Sequence, residues 1–114
     1  MGNLVDFSSL NEMLYSEEAL IKEFAAAAIL SFSEFNEHYR EYLSKRDEVP
    51  FRKSGHKIKP VAQMLGLQQI VDEYERGKTL LWEEKTDEEL LNSINKIDAI
   101  CSEVLSELQD IINK

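Results

Sequence analysis

The stretch from Thr86 to Ile112, TDEELLNSINKIDAICSEVLSELQDII, sets Leu90, Ile94, Ile97, Cys101, Val104, Leu108 and Ile111 at spacings that alternate between four and three. An α-helix returns to the same face every three to four residues, so these side chains form one continuous apolar stripe. Thr86 followed three residues later by Glu89 is a capping box, which starts the helix at a defined residue. A stripe held in step over so many turns is the seam of a helical bundle. A helical oligomerisation module would use the same seam, but a single seam is more simply filled by the protein's own core.

The rest of the chain supplies the partners. Glycine and proline occur only at Gly2, Pro50, Gly55, Pro60, Gly66 and Gly77. Strong helix formers lie between them, and β-branched alternation is absent, so no strands are expected. A short first helix is predicted from Phe7 to Leu14. Ser16 offers an N-cap for a second helix. Neither Gly nor Pro follows before Arg46, which predicts one helix of roughly 30 residues, about 45 Å long. Its stripe is Leu20, Phe24, Ala27, Ala28, Ser31, Phe35, Tyr39, Tyr42 and Leu43. A break near Ser31 is the alternative, because Ser31-Phe32-Ser33-Glu34 also reads as a capping box.

A third helix is predicted to open near Pro50 and to close at Gly66, the former tolerated in a first turn and the latter a natural C′ residue. Pro60 interrupts it and leaves the carbonyl of His56 without its intrahelical donor, so a local kink is expected. A fourth helix carries Leu67, Ile70, Val71 and Tyr74 and reaches Leu80 and Leu81 past Gly77. Short connections between long amphipathic helices make neighbours antiparallel. The expected fold is all-α, an antiparallel up-down four-helix bundle with a short additional N-terminal helix, and residues 1–114 form a single domain.

The composition narrows the function. The chain has 114 residues and a net charge of −9, which argues against nucleic acid as a general partner. No apolar run reaches the roughly 18–20 residues of a membrane span, so no membrane insertion is expected. The apolar stretch from Phe24 to Phe32 is too short and lacks the basic leader of a signal peptide. Met1-Gly2 lacks the Ser/Thr that completes a myristoylation signal. The lone cysteine, Cys101, excludes an internal disulfide and fits a reducing cytoplasm. Its place on the seam makes it a small buried apolar residue.

Against that acidic background, residues 51–60 carry Arg52, Lys53, Lys57 and Lys59 and no acid. On a helical wheel at about 100° per residue, Arg52, Lys53, Lys59, Pro60 and Gln63 fall within about 60° of His56. Phe51, Ser54, Ile58, Val61, Ala62 and Leu65 fall within about 60° of the opposite direction and should face the core. An imidazole is thus presented to solvent, ringed by cations. A phosphoryl carrier needs that arrangement: a neutral, exposed imidazole as nucleophile, which neighbouring cations favour over the imidazolium. The same cations then stabilise the roughly −1.5 to −2 charges of the phosphoryl group. Lys59, one turn on, is the best placed.

His56-x-x-Lys59 on a helix, with Gly66 ten residues after the histidine and Asp47 nine before it, resembles the histidine-containing phosphotransfer (HPt) domain of bacterial phosphorelays. The family's core reads His-x-x-Lys-Gly, preceded by Ala. Here Gly55 replaces the Ala, a small-for-small change, and Pro60 replaces the Gly that lets a partner approach the imidazole. The resemblance implies that His56 takes a phosphoryl group from a receiver-domain aspartate and passes it to another receiver. Lys59 would stabilise the group, with Arg52, Lys53, Pro60 and Gln63 at the periphery. The implied partners are receiver (response-regulator) domains and a hybrid sensor kinase. The chain would act as a cytoplasmic monomer without a cofactor, the receiver supplying metal and catalysis. A neighbouring side chain or carbonyl should hold the second ring nitrogen of His56. The alternative is an HPt-like adaptor that docks a receiver or other partner without accepting phosphate.

The other candidates are weaker. Met64, about 80° from His56 on the wheel, belongs either to an apolar docking patch or to the core edge. His38 lies beside the Phe35–Tyr39–Tyr42 stripe and reads as structural. Neither histidine has a Glu three residues before it, so the Glu-x-x-His metal pattern is absent and no metal site is expected. Trp82 is expected to pack where the fourth and fifth helices meet.

Overall fold

The computed structural model describes residues 3–114. Met1 and Gly2, read above for an acylation signal, lie outside the described residues. The described chain is all-helical: α1 (Phe7–Met13), α2 (Glu18–Ser44), α3 (Glu48–Met64), α4 (Gln68–Trp82) and α5 (Asp87–Ile112). None of these helices is long and apolar enough to cross a membrane. The molecule measures 46 × 27 × 18 Å along its principal axes.

All seven seam residues of α5 are buried, together with Ser93, Ile100 and Glu107, so the seam is filled by the chain's own core. The Thr86–Glu89 capping box forms with both of its hydrogen bonds. α2 runs unbroken through Ser31, because Ala28 and Phe32 bury on either side of the would-be break. Its core stripe is Ala25, Ala28, Phe32, Phe35, Tyr39 and Leu43. Leu20 and Ala27, expected inside, are exposed, because the stripe is rotated toward α5.

α2 packs on α3 and α5, and α4 packs on the same two helices. Along the α2–α5 interface, Lys22 meets Lys114, Asn36 meets Asp98 and Arg46 meets Asp87, so these two helices run in opposite directions. At the centre the buried Tyr39 hydroxyl donates to the Glu73 carbonyl at 3.0 Å and lies 2.7 Å from the Ser93 hydroxyl. The Glu73 carboxylate accepts from Ser93 at 2.6 Å and pairs with Arg76 and Lys96, so this buried carboxylate is fully partnered. Gly77 lets α4 approach closely here, since a Cβ would stand 2.6 Å from the Tyr39 hydroxyl and 2.8 Å from the Phe51 ring.

The links between helices explain where the expected boundaries moved. Each helix from α1 to α4 ends with one or two left-handed residues: Tyr15 and Ser16, Arg46, Gly66, and Glu84. In each link, one amide reaches back to the fifth residue before it: Ser16 to Asn11, Asp47 to Tyr42, Leu67 to Ala62 and Lys85 to Leu80. This is the Schellman closure, and glycine fills its left-handed position only at Gly66. Ser16, read as the N-cap of α2, therefore belongs to the end of α1, and its φ of 56° is incompatible with an extended cap. Glu17 takes the cap position without a side-chain bond. α3 starts at Glu48, two residues before Pro50, which still lies in the first turn, where its missing N–H has no intrahelical acceptor.

Candidate functional site

α3 presents the candidate site. Its inner face buries Phe51, Ser54, Gly55, Ile58 and Ala62, with Leu65 following. Val61, also expected inside, is half-buried. On the outer face His56, Arg52, Lys53, Pro60 and Gln63 are exposed, and Lys59 is half-buried. Met64 is 41% exposed, which fits both an apolar docking patch and a partly buried core edge. The helix continues through Pro60 to Met64.

Two helices flank α3. Lys57 reaches across to Glu34 of α2, with 2.7 Å between Nζ and Oε1. Lys59 reaches the other way, to Glu75 of α4, at 3.3 Å. Arg52 pairs within its own helix with Glu48 at 2.9 Å. The ring of cations is therefore largely compensated by carboxylates, two of them from other helices. Of the four basic residues in 51–60, only Lys53 has no carboxylate partner among the described residues. Glu34 is held below the usual carboxylate range by Lys57. Glu75 is likewise lowered by its hydrogen bond from Lys78, at 2.8 Å, and by that from Lys59.

No hydrogen bond or ion pair to His56 is found among the described residues, so the expected partner for its second ring nitrogen is absent there. The backbone just before the histidine is packed by Tyr74 of α4. This ring packs closely against Gly55, lies 5.3 Å from the Phe51 ring and donates its hydroxyl to the Arg52 carbonyl at 3.2 Å. That carbonyl is the intrahelical acceptor for the His56 amide. Burial pushes the Tyr74 phenol up. An added Cβ at Gly55 would overlap three carbons of the Tyr74 ring. Gly55 is therefore not exchangeable for Ala in this chain, because a tyrosine occupies the space.

Beyond Arg52, the groove between α3 and α4 is lined by Glu75, Lys78, Thr79 and Trp82. Trp82 is 79% exposed, so it does not pack at the α4–α5 junction as expected. It is the last residue of α4, beyond the reach of the core stripe that ends at Leu80. His38 is half-buried, lies 5.2 Å from the Tyr42 ring at a 36° tilt and approaches Glu34 at 3.9 Å. Cys101 is buried on the seam, and burial pushes its thiol up to about 12.

Glu75, Glu34 and Tyr74 escaped the sequence reading because they reach the site from other helices. Glu48 was missed as well, although the sequence held a signal for it: Glu48 and Arg52 stand four apart in the favourable order. No family model, curated protein or solved structure matches the chain.

Proposed function

We propose that the chain is a histidine phosphotransfer protein of a phosphorelay, with His56 as the phosphoacceptor. The observation that carries the reading is His56 itself: an exposed imidazole, unengaged among the described residues, with Arg52 and Lys59 one turn to either side in a chain of net charge −9. In the proposed step a ring nitrogen of neutral His56 attacks the phosphorus of a receiver's aspartyl phosphate. A P–N bond forms, the P–O bond breaks, and its electron pair leaves on the aspartate carboxylate. The proton already on the other ring nitrogen stays there or passes to water. Lys59 is assigned the charge on the phosphoryl oxygens, with Lys53 and Arg52 nearby, while Pro60, Gln63 and Met64 border the docking face. The receiver supplies its own metal, and a second receiver takes the group by the reverse step.

The pairwise packing of α2, α3, α4 and α5 supports an up-down four-helix bundle, with α1 as the added N-terminal helix. The same reading places the protein in the cytoplasm as a monomer that meets a hybrid sensor kinase and receiver domains. A second reading, an adaptor that docks a receiver without accepting phosphate, is favoured by one observation. Glu48, Glu34 and Glu75 already neutralise three of the cations.

Transfer from a panel of radiolabelled receiver domains, wild type beside His56→Gln, separates the two. Acid-labile, base-stable label on the wild type alone is the expected result. Receiver binding without label, equal for both proteins, would establish the adaptor instead.

A further inference from the structure

Lys59 does not stand free beside His56. Its Nζ lies 3.3 Å from Oε1 of Glu75, while Oε2 of the same carboxylate is held by Lys78 at 2.8 Å. Both lysines and the glutamate keep a quarter to a half of their side-chain surface in water, so the pairs exchange readily. The two oxygens of Glu75 serve two different cations. Lys59 can leave without orphaning the carboxylate, because Lys78 stays on the other oxygen. Lys59 and Glu75 lie on adjacent helices, so the pair is set by packing rather than by local sequence.

We propose that Glu75 is a positioning residue that parks Lys59 and releases it when a phosphoryl group arrives at His56. This rests on the phosphocarrier reading above. In the resting protein Glu75 occupies the cation that His56 needs. As the phosphoryl group approaches, its oxygens compete with Oε1 of Glu75 for Lys59, and Lys78 holds the carboxylate back. Glu75 thereby lowers the reactivity of His56 toward phosphoryl donors and selects for those carrying enough charge to draw Lys59 away. Removing the carboxylate frees Lys59 in advance.

The test uses potassium phosphoramidate, a small donor that needs no protein partner. A ring nitrogen of His56 attacks its phosphorus, the new P–N bond forms, and the old P–N bond breaks to release ammonia. Phosphohistidine is followed by phosphorus NMR in wild type, Glu75→Gln, Lys59→Gln and the double variant, with His56→Gln as the blank. Glu75→Gln should label faster than wild type by roughly two- to fivefold, the worth of a half-exposed pair. Lys59→Gln should label more slowly, and Glu75→Gln should have no effect in the Lys59→Gln background, because it acts only through that lysine. An unchanged rate in Glu75→Gln would overturn the proposal and leave the phosphocarrier reading standing. So would an acceleration that persists without Lys59, which would mark a general charge effect. Absence of phosphohistidine in every protein would overturn the phosphocarrier reading and this proposal with it.

Discussion

Gly55→Ala tests the packing that underlies the site, because two rules give it opposite signs. By helix propensity alone, replacing an interior glycine with alanine stabilises by about 1 kcal/mol. The tertiary structure reverses this. A Cβ at position 55 would overlap three carbons of the Tyr74 ring at once, so no small adjustment relieves it. Tyr74 is 3% exposed and packs on Phe51, so its ring must be displaced as a whole. Overpacking of that kind costs about 1–3 kcal/mol, and the lost hydrogen bond to the Arg52 carbonyl costs about 1 more. Set against the propensity gain, the net destabilisation is about 1–3 kcal/mol. Urea unfolding followed by far-ultraviolet circular dichroism should show a lower midpoint with an unchanged slope. The thermal midpoint should fall by roughly 4–12 °C. In a Tyr74→Leu background the same substitution should cost much less. A Gly55→Ala protein as stable as wild type, or more so, would refute the reasoning and return Gly55 to the status of a small residue chosen for no steric cause.

Further predictions follow from other parts of the molecule. Glu84 takes a left-handed φ of 53° and its side chain makes no hydrogen bond or ion pair among the described residues, so Glu84→Gly should stabilise by about 0.5–1 kcal/mol in the same urea assay. The Glu107 carboxylate accepts the Leu4 and Val5 amides at 3.0 and 2.9 Å, so Glu107→Ala should speed hydrogen exchange at those amides and proteolysis within residues 3–14 before it affects α2–α5. Cys101 keeps its proton in the folded state up to about 12 but loses it near 9.0 when unfolded. Between those values the native state binds the extra proton, so stability should fall as pH rises, by about 1.4 kcal/mol per unit. Cys101→Ala should flatten that decline, and a thiol reagent at pH 8 should react with wild type only after denaturation.

The α5 seam, the Thr86 capping box and the Gly66 closure were legible because each is a local device: a periodicity, a four-residue bond pattern, and a left-handed position filled by glycine. The outward placement of His56, Arg52, Lys53, Pro60 and Gln63 was legible for the same reason, since a wheel needs only one helix. Other features needed the assembled molecule. Arg46 and Glu84 close helices in a conformation their side chains do not advertise. The rotation of α2 that exposes Leu20 and Ala27 depends on which neighbour it faces. Trp82 is left in solvent because α4 ends past its last core contact.

Sequence alone thus determined that the chain is helical, which face of α5 is apolar, and that one histidine lies outward among cations, because intrahelical geometry fixes all three. Only the tertiary structure decided that Glu34 and Glu75 engage Lys57 and Lys59, that Tyr74 fills the space beside Gly55, and that Glu107 holds the N-terminal segment. These contacts join residues distant in sequence. They depend on the rotation and offset of one helix against another, which the summed packing of the core sets and no single helix encodes.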